Sequence, residues 1–144
     1  MKNAQWQMLL KQGNDCFFNR QWQQAEFFYS EAYDLLAYGY RSNPLCSETM
    51  MAWICSCHNI SSLYEEIGKL TLSLRFLSVP HEYLKSVSQS EHASNDIKLL
   101  AFKGLSLTLS PLLVFRKNNP ICDECVKEYG ALNVPTDNLM LKLH

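Results

Sequence analysis

The chain has 144 residues, 47% hydrophobic and 19% charged, which suits one globular domain with a buried core and excludes a disordered chain. Thirteen basic and fourteen acidic residues nearly cancel, so the electrostatic footprint of a nucleic-acid binder is missing. The residues from Met1 to Gln7 lack the apolar run of a signal peptide. The most apolar stretch, Leu105 to Phe115, is shorter than a membrane span and contains Pro111. The expectation is a cytoplasmic protein without nucleic-acid or membrane partners.

Spacing of apolar residues predicts a first helix from about Asn3 to Phe18, with Trp6, Leu9, Leu10, Gly13 and Phe17 on its apolar side. A second runs from about Gln21 to Tyr40 and stops where Gly39, Ser42, Asn43 and Pro44 punctuate the chain. It is dense in aromatic residues on more than one face, which predicts packing on two sides or contact with a partner. A third helix is expected from Leu45 or Ser47 to about Ile67, capped by Ser47 with Glu48 in its first turn and ended by Gly68.

The fourth predicted helix covers Leu70 to Ser86, and Pro80 should kink or divide it. After a polar connector from Ser88 to Ser94, a fifth helix is expected over Asn95–Arg116 with a bend at Pro111. A sixth follows over Ile121–Tyr129 behind Pro120, which suits the first position of a helix. The tail from Pro135 to His144 reads as a short final helix. Thr71–Leu74 and Leu105–Leu109 alternate apolar and polar residues as strands do, yet their helical surroundings and the lack of hairpin signals favour helix.

Gly13, Ala25, Tyr29 and Ala32 carry the most specific pattern. The last three stand at i, i+4 and i+7, one side of a helix, and Gly13 and Ala25 are small where two antiparallel helices must approach. This resembles the tetratricopeptide repeat, a helix-turn-helix unit with small residues at its crossings. Its first-helix motif falls on Leu9, Gln12, Gly13 and Cys16, its second on Ala25, Tyr29 and Ala32. A second, degenerate unit falls on Cys57, Ile60, Ser61 and Tyr64, then on Ser73, Leu77 and Pro80. The offset from Gly13 to Ser61 is 61 − 13 = 48 residues, against a family period of about 34. Gly104 or Ala101 would fill the small position of a third unit.

The resemblance implies an all-α single domain over residues 1–144, with antiparallel hairpins stacked as a short right-handed superhelix of about six helices. The clearest repeat covers 5–40, the degenerate one 45–88, and further helices 95–144. It further implies a non-catalytic scaffold or adaptor that takes a protein or peptide in a helical groove. The groove residues would be Gln7, Leu10, Asn14, Phe17 and Phe18 in the first unit and His58, Asn59 and Ser62 in the second. Chaperone-binding members hold acidic tails with a lysine where this chain has Leu10, so no binding of such tails is expected.

Six cysteines in a cytosolic chain are expected to be thiols. Cys122 and Cys125 have the spacing of zinc or redox pairs, and they carry the alternative of a thiol- or zinc-dependent regulatory protein. Cys55 and Cys57 point to different sides of a helix, and no cofactor is expected. A further alternative is a self-associating structural protein, a homodimer built on the aromatic second helix. No nucleophile has an adjacent base and no glycine-rich phosphate loop is present, so no enzyme activity is expected.

Overall fold

The structure is a computed structural model that describes residues 3–119. It is all-helical over that range: α1 (Asn3–Phe18), α2 (Trp22–Ser42), α3 (Ser47–Glu66), α4 (Leu70–Ser88) and α5 (Asn95–Asn118). Each helix packs chiefly on the next in sequence, and α3 also touches α5. Among the described residues there are five helices rather than about six, and no strand. The helix expected over Ile121–Tyr129 and the tail from Pro135 lie outside the described residues.

Two hairpin turns are built alike. Gln21 N–H donates to the Cys16 carbonyl at 2.8 Å and Arg20 N–H to Phe17 at 3.0 Å. In the second turn Lys69 N–H donates to Tyr64 at 2.8 Å and Gly68 N–H to Glu65 at 3.1 Å. Both are Schellman closures, which satisfy orphan carbonyls and require a left-handed residue just past the helix. Gly68 fills that place at φ 82° and Arg20 at φ 60°.

The core lies along the helix seams. Tyr33, Leu36, Tyr40, Trp53 and Leu63 are buried there, with Tyr40 stacked on Trp53 at 5.4 Å. Leu74, Leu77, Leu112 and Phe115 form a second cluster between α4 and α5. The aromatic residues of α2 divide: Tyr29, Tyr33 and Tyr40 face the core, while Phe27 and Tyr38 are exposed.

Small residues mark the close crossings. A Cβ on Gly13 would meet the Tyr29 ring, and one on Gly104 would stand 2.9 Å from Leu84. In α3 the equivalent place is Ser61, whose hydroxyl donates to the Ser73 carbonyl at 2.9 Å while Ser73 donates back to the Ser61 carbonyl at 2.8 Å.

Two expectations need correction. Pro80 stays inside α4 without dividing it, and Pro111 lies inside α5, where only a bend was expected. Burial of Pro80 offsets the missing backbone bond, which costs about 3 kcal/mol in an isolated helix. The cap of α3 is Cys46, not Ser47; the Thr49 hydroxyl donates to the Cys46 sulfur at 3.1 Å. The polar connector ends in a true cap, with Ile97 N–H donating to Ser94 Oγ at 3.3 Å.

Candidate functional site

The α1 and α3 helices flank a cavity of about 220 Å³ lined by Asn14, Phe17, Phe18, Tyr29, Asn59 and Ser62. Its floor is Tyr29 of α2. The Tyr29 ring passes over Gly13 because no side chain stands in the way, and its hydroxyl donates to Asn14 Oδ1 at 2.6 Å. That bond occupies the carbonyl end of the Asn14 amide and leaves its NH₂ group to donate elsewhere. Burial pushes the Tyr29 hydroxyl up to about 12, so it remains a donor at all ordinary pH.

Walls of opposite character face each other. Phe17 is half-buried against the core and meets Trp22 edge-on at 5.5 Å. Phe18 is 80% exposed at the rim. Asn59 and Ser62 stand at i and i+3 on α3, one face of that helix.

Ser62 also lines a second cavity of about 180 Å³ between α3 and α5, with Ser61, Leu77, Val114 and Phe115 on its walls. The two hollows therefore adjoin across α3. The linings of the two hollows on α1, α3 and α5 mix polar groups (Asn14, Asn59, Ser62, Glu65 and Asn118) with apolar ones (Phe17, Phe18 and Val114).

Of the residues expected in the groove, Asn14, Phe17, Phe18, Asn59 and Ser62 come together there, whereas Gln7, Leu10 and His58 do not line the cavity. Gln7 is exposed further back on α1. Leu10 packs on the core, because its i+3 and i+7 neighbours Gly13 and Phe17 face inward too. His58 is half-buried, its Nε2 has no hydrogen-bond partner, and burial lowers its pKa.

A larger hollow of about 490 Å³ lies along α2, lined by Gln23, Glu26, Phe27, Glu31, Asp34 and Tyr64 among others. The Tyr64 hydroxyl donates to Glu26 Oε2 at 2.7 Å, and burial raises the Tyr64 pKa further above its ordinary value. These acids were not singled out from the sequence. The spacing Gln23, Phe27, Glu31 and Asp34 already placed them in one stripe, but Tyr64 joins only through tertiary packing.

Among the described residues no three His, Cys, Asp or Glu side chains are grouped to hold a metal ion. Cys122 and Cys125 lie outside the described residues. By length and composition alone α5 is apolar enough to cross a membrane, a property that a search for uninterrupted runs missed because Lys98, Lys103 and the serines divide it. Its stripe of Ala101, Gly104, Thr108, Leu112 and Phe115 is buried against the bundle.

Fold and cavity together define an all-helical protein of sequentially packed helices with an open cleft between the first and third. The chain belongs to the family described as "Protein of unknown function (DUF2753)", whose model matches residues 4–143. No curated protein and no solved structure matches the chain.

Proposed function

We propose that this protein is a non-catalytic adaptor that binds a segment of another protein across the face formed by α1, α3 and α5. On this reading the hairpins α1/α2 and α3/α4, with α5 as the first helix of a third, form a short right-handed superhelix like that of tetratricopeptide repeats. The alike hairpin turns and the small residues Gly13, Ser61 and Gly104 at the crossings support it. The observation that carries the functional claim is the single cavity shared by Asn14 and Phe18 of α1 with Asn59 and Ser62 of α3.

The chemistry suits an extended peptide. Asn14, oriented by Tyr29, donates to a peptide carbonyl, and Asn59 can both donate and accept. Phe18, 80% exposed with its ring edge-on to Phe17 at 5.9 Å, offers an aromatic surface of the kind that anchors interfaces. No step of bond making or breaking is assigned to the site.

Affinity capture from a lysate of the source cell tests this, with full chains of the wild type, Phe18→Glu/Ser62→Arg, and Glu31→Arg on the α2 face. The proposal expects a protein retained by wild type and Glu31→Arg but lost from the double variant, all three folded by circular dichroism. Identical captures by all three would overturn it.

A further inference from the structure

Among the described residues, α5 exposes more apolar side chain than any other helix. Leu99, Phe102, Leu107, Leu109, Leu113 and Val114 are all exposed, whereas no other described helix has more than two large apolar side chains in that state. Leu99, Phe102, Leu109 and Leu113 stand at i, i+3, i+10 and i+14, one side of the helix. That side is turned away from Ala101, Gly104, Thr108 and Leu112, which α5 buries in the bundle. Along its edge runs a hollow of about 550 Å³ between α4 and α5, lined by His81, Lys85, Phe102, Leu105 and Leu109 among others. Contiguous apolar surface of this kind marks an interaction site.

Basic residues stand at both ends of the stripe. Lys98 and Lys103 lie on either side of Leu99 and Phe102, and Arg116 and Lys117 follow Leu113; Asp96 is the one acid on α5, so the helix carries 4 − 1 = +3. Lys85 of α4 adds a further cation on the wall of the hollow. We infer that this side of α5 docks on the surface of a bilayer rich in anionic lipid. The apolar stripe enters the acyl boundary, and the lysines and Arg116 meet headgroup phosphates.

Charge selects that occupant. A second copy packed α5 on α5 would set like charges together in either orientation. In a parallel pair Lys98 meets Lys98, and in an antiparallel pair Lys98 and Lys103 meet Arg116 and Lys117. An anionic lipid surface instead meets positive charge along the whole stripe, and each lysine or arginine near such a surface strengthens binding about fivefold.

Packing selects the depth. By length and composition α5 could cross a membrane, but its small-residue stripe is held against the bundle. Only the outward side can meet lipid, so the helix lies in the plane of the interface. The expectation of no membrane partner rested on span length, which a helix lying on a surface does not need.

The docking side is separate from the proposed peptide groove. Pro111, Val114, Phe115 and Asn118 line the hollow toward α3, while Phe102, Leu105 and Leu109 line the one toward α4. The groove stays open when α5 lies on a bilayer, and the inference does not rest on peptide binding.

Flotation of the full chain with vesicles tests this, one set of phosphatidylcholine alone and one of equal parts phosphatidylcholine and phosphatidylglycerol. Wild type is compared with Phe102→Ser/Leu113→Ser, with Lys103→Glu/Lys117→Glu and, on α2, with Tyr38→Ser, each confirmed folded by circular dichroism. Should the apolar pair fail to fold, the charge-reversed pair decides alone. The inference expects wild type and Tyr38→Ser to float with the anionic vesicles only, and added salt to release them. Both double variants should bind at least about tenfold more weakly. No flotation, equal flotation with neutral vesicles, double variants that float like wild type, or equal loss in Tyr38→Ser would overturn it. A wild-type dimer in sedimentation that Phe102→Ser/Leu113→Ser returns to monomer would also overturn it, because a second copy would then cover the face.

Discussion

Gly13 and Tyr29 are built for each other. A Cβ on Gly13 would lie 2.5 Å from both Cδ1 and Cε1 of the Tyr29 ring, and it is this closeness that brings the Tyr29 hydroxyl to Asn14. One missing side chain thus sets the α1–α2 crossing and the orientation of an amide in the candidate groove.

Gly13→Ala should therefore destabilise the protein although alanine is the better helix former. Overpacking against a rigid ring costs about 1–3 kcal/mol, and the helix-propensity gain returns at most about 1 kcal/mol. Urea unfolding of the variant should give a lower midpoint at unchanged slope. An unchanged or higher midpoint would show that Tyr29 moves aside freely.

The two hairpin turns predict opposite responses to substitution. Arg20 occupies a left-handed position that glycine holds without strain, so Arg20→Gly should raise stability by roughly 0.5–1 kcal/mol. Gly68→Ala has open space around it, with nothing within 4 Å, yet should lower stability by about 1 kcal/mol because φ is 82°. Thermal midpoints of both variants check the pair.

Stability should fall as pH drops through the histidine range. Burial lowers the pKa of His58, and burial lowers that of His81 against an opposing pull from the Glu82 carboxylate, with a smaller lowering from Lys85. His81 Nδ1 lies 2.9 Å from Thr108 Oγ1, whose hydroxyl is also 3.1 Å from the Leu105 carbonyl. A lowered folded pKa means that the unfolded chain binds protons first. The stabilisation is thus complete above the ordinary value of 6.5, and is lost as pH falls from there through the lower folded values. Melting curves at pH 7.5 and 5.5 should show the drop, and it should shrink in His58→Gln/His81→Gln.

Thiol reactivity should separate two described cysteines. The hydroxyl of Thr49 bonds to the Cys46 sulfur and, with backbone N–H groups, lowers its pKa, whereas burial raises that of Cys57 well above the ordinary range. Iodoacetamide at neutral pH should modify Cys46 well before Cys57. Thr49→Val should slow the Cys46 reaction, and peptide mass mapping reads both rates.

Helix placement was legible because the apolar period is regular and Gly68, Asn43 and Pro44 interrupt it plainly. The cap of α3 was not, since cysteine is no usual cap and Ser47 stood beside it. A division at Pro80 was one outcome expected from local chemistry, and α4 instead continues through that residue, which is buried. In the groove, Asn14 and Asn59 were expected from the resemblance to the tetratricopeptide repeat. That Tyr29 floors the cavity and that Ser62 joins two hollows depend on contacts between helices far apart in sequence. Leu10 and His58 stood on the same expected faces, but the actual rotation of each helix turned them toward the core.

The central claim is most directly tested by selecting peptides from a random display library on the purified full chain. Side-chain amide resonances are then followed as the selected peptides bind. The account predicts that the Asn14 and Asn59 NH₂ signals shift together and that Ser62→Arg abolishes binding. Peptides that bind Ser62→Arg as well as wild type, or whose shifts map to the acidic stripe of α2, would contradict it.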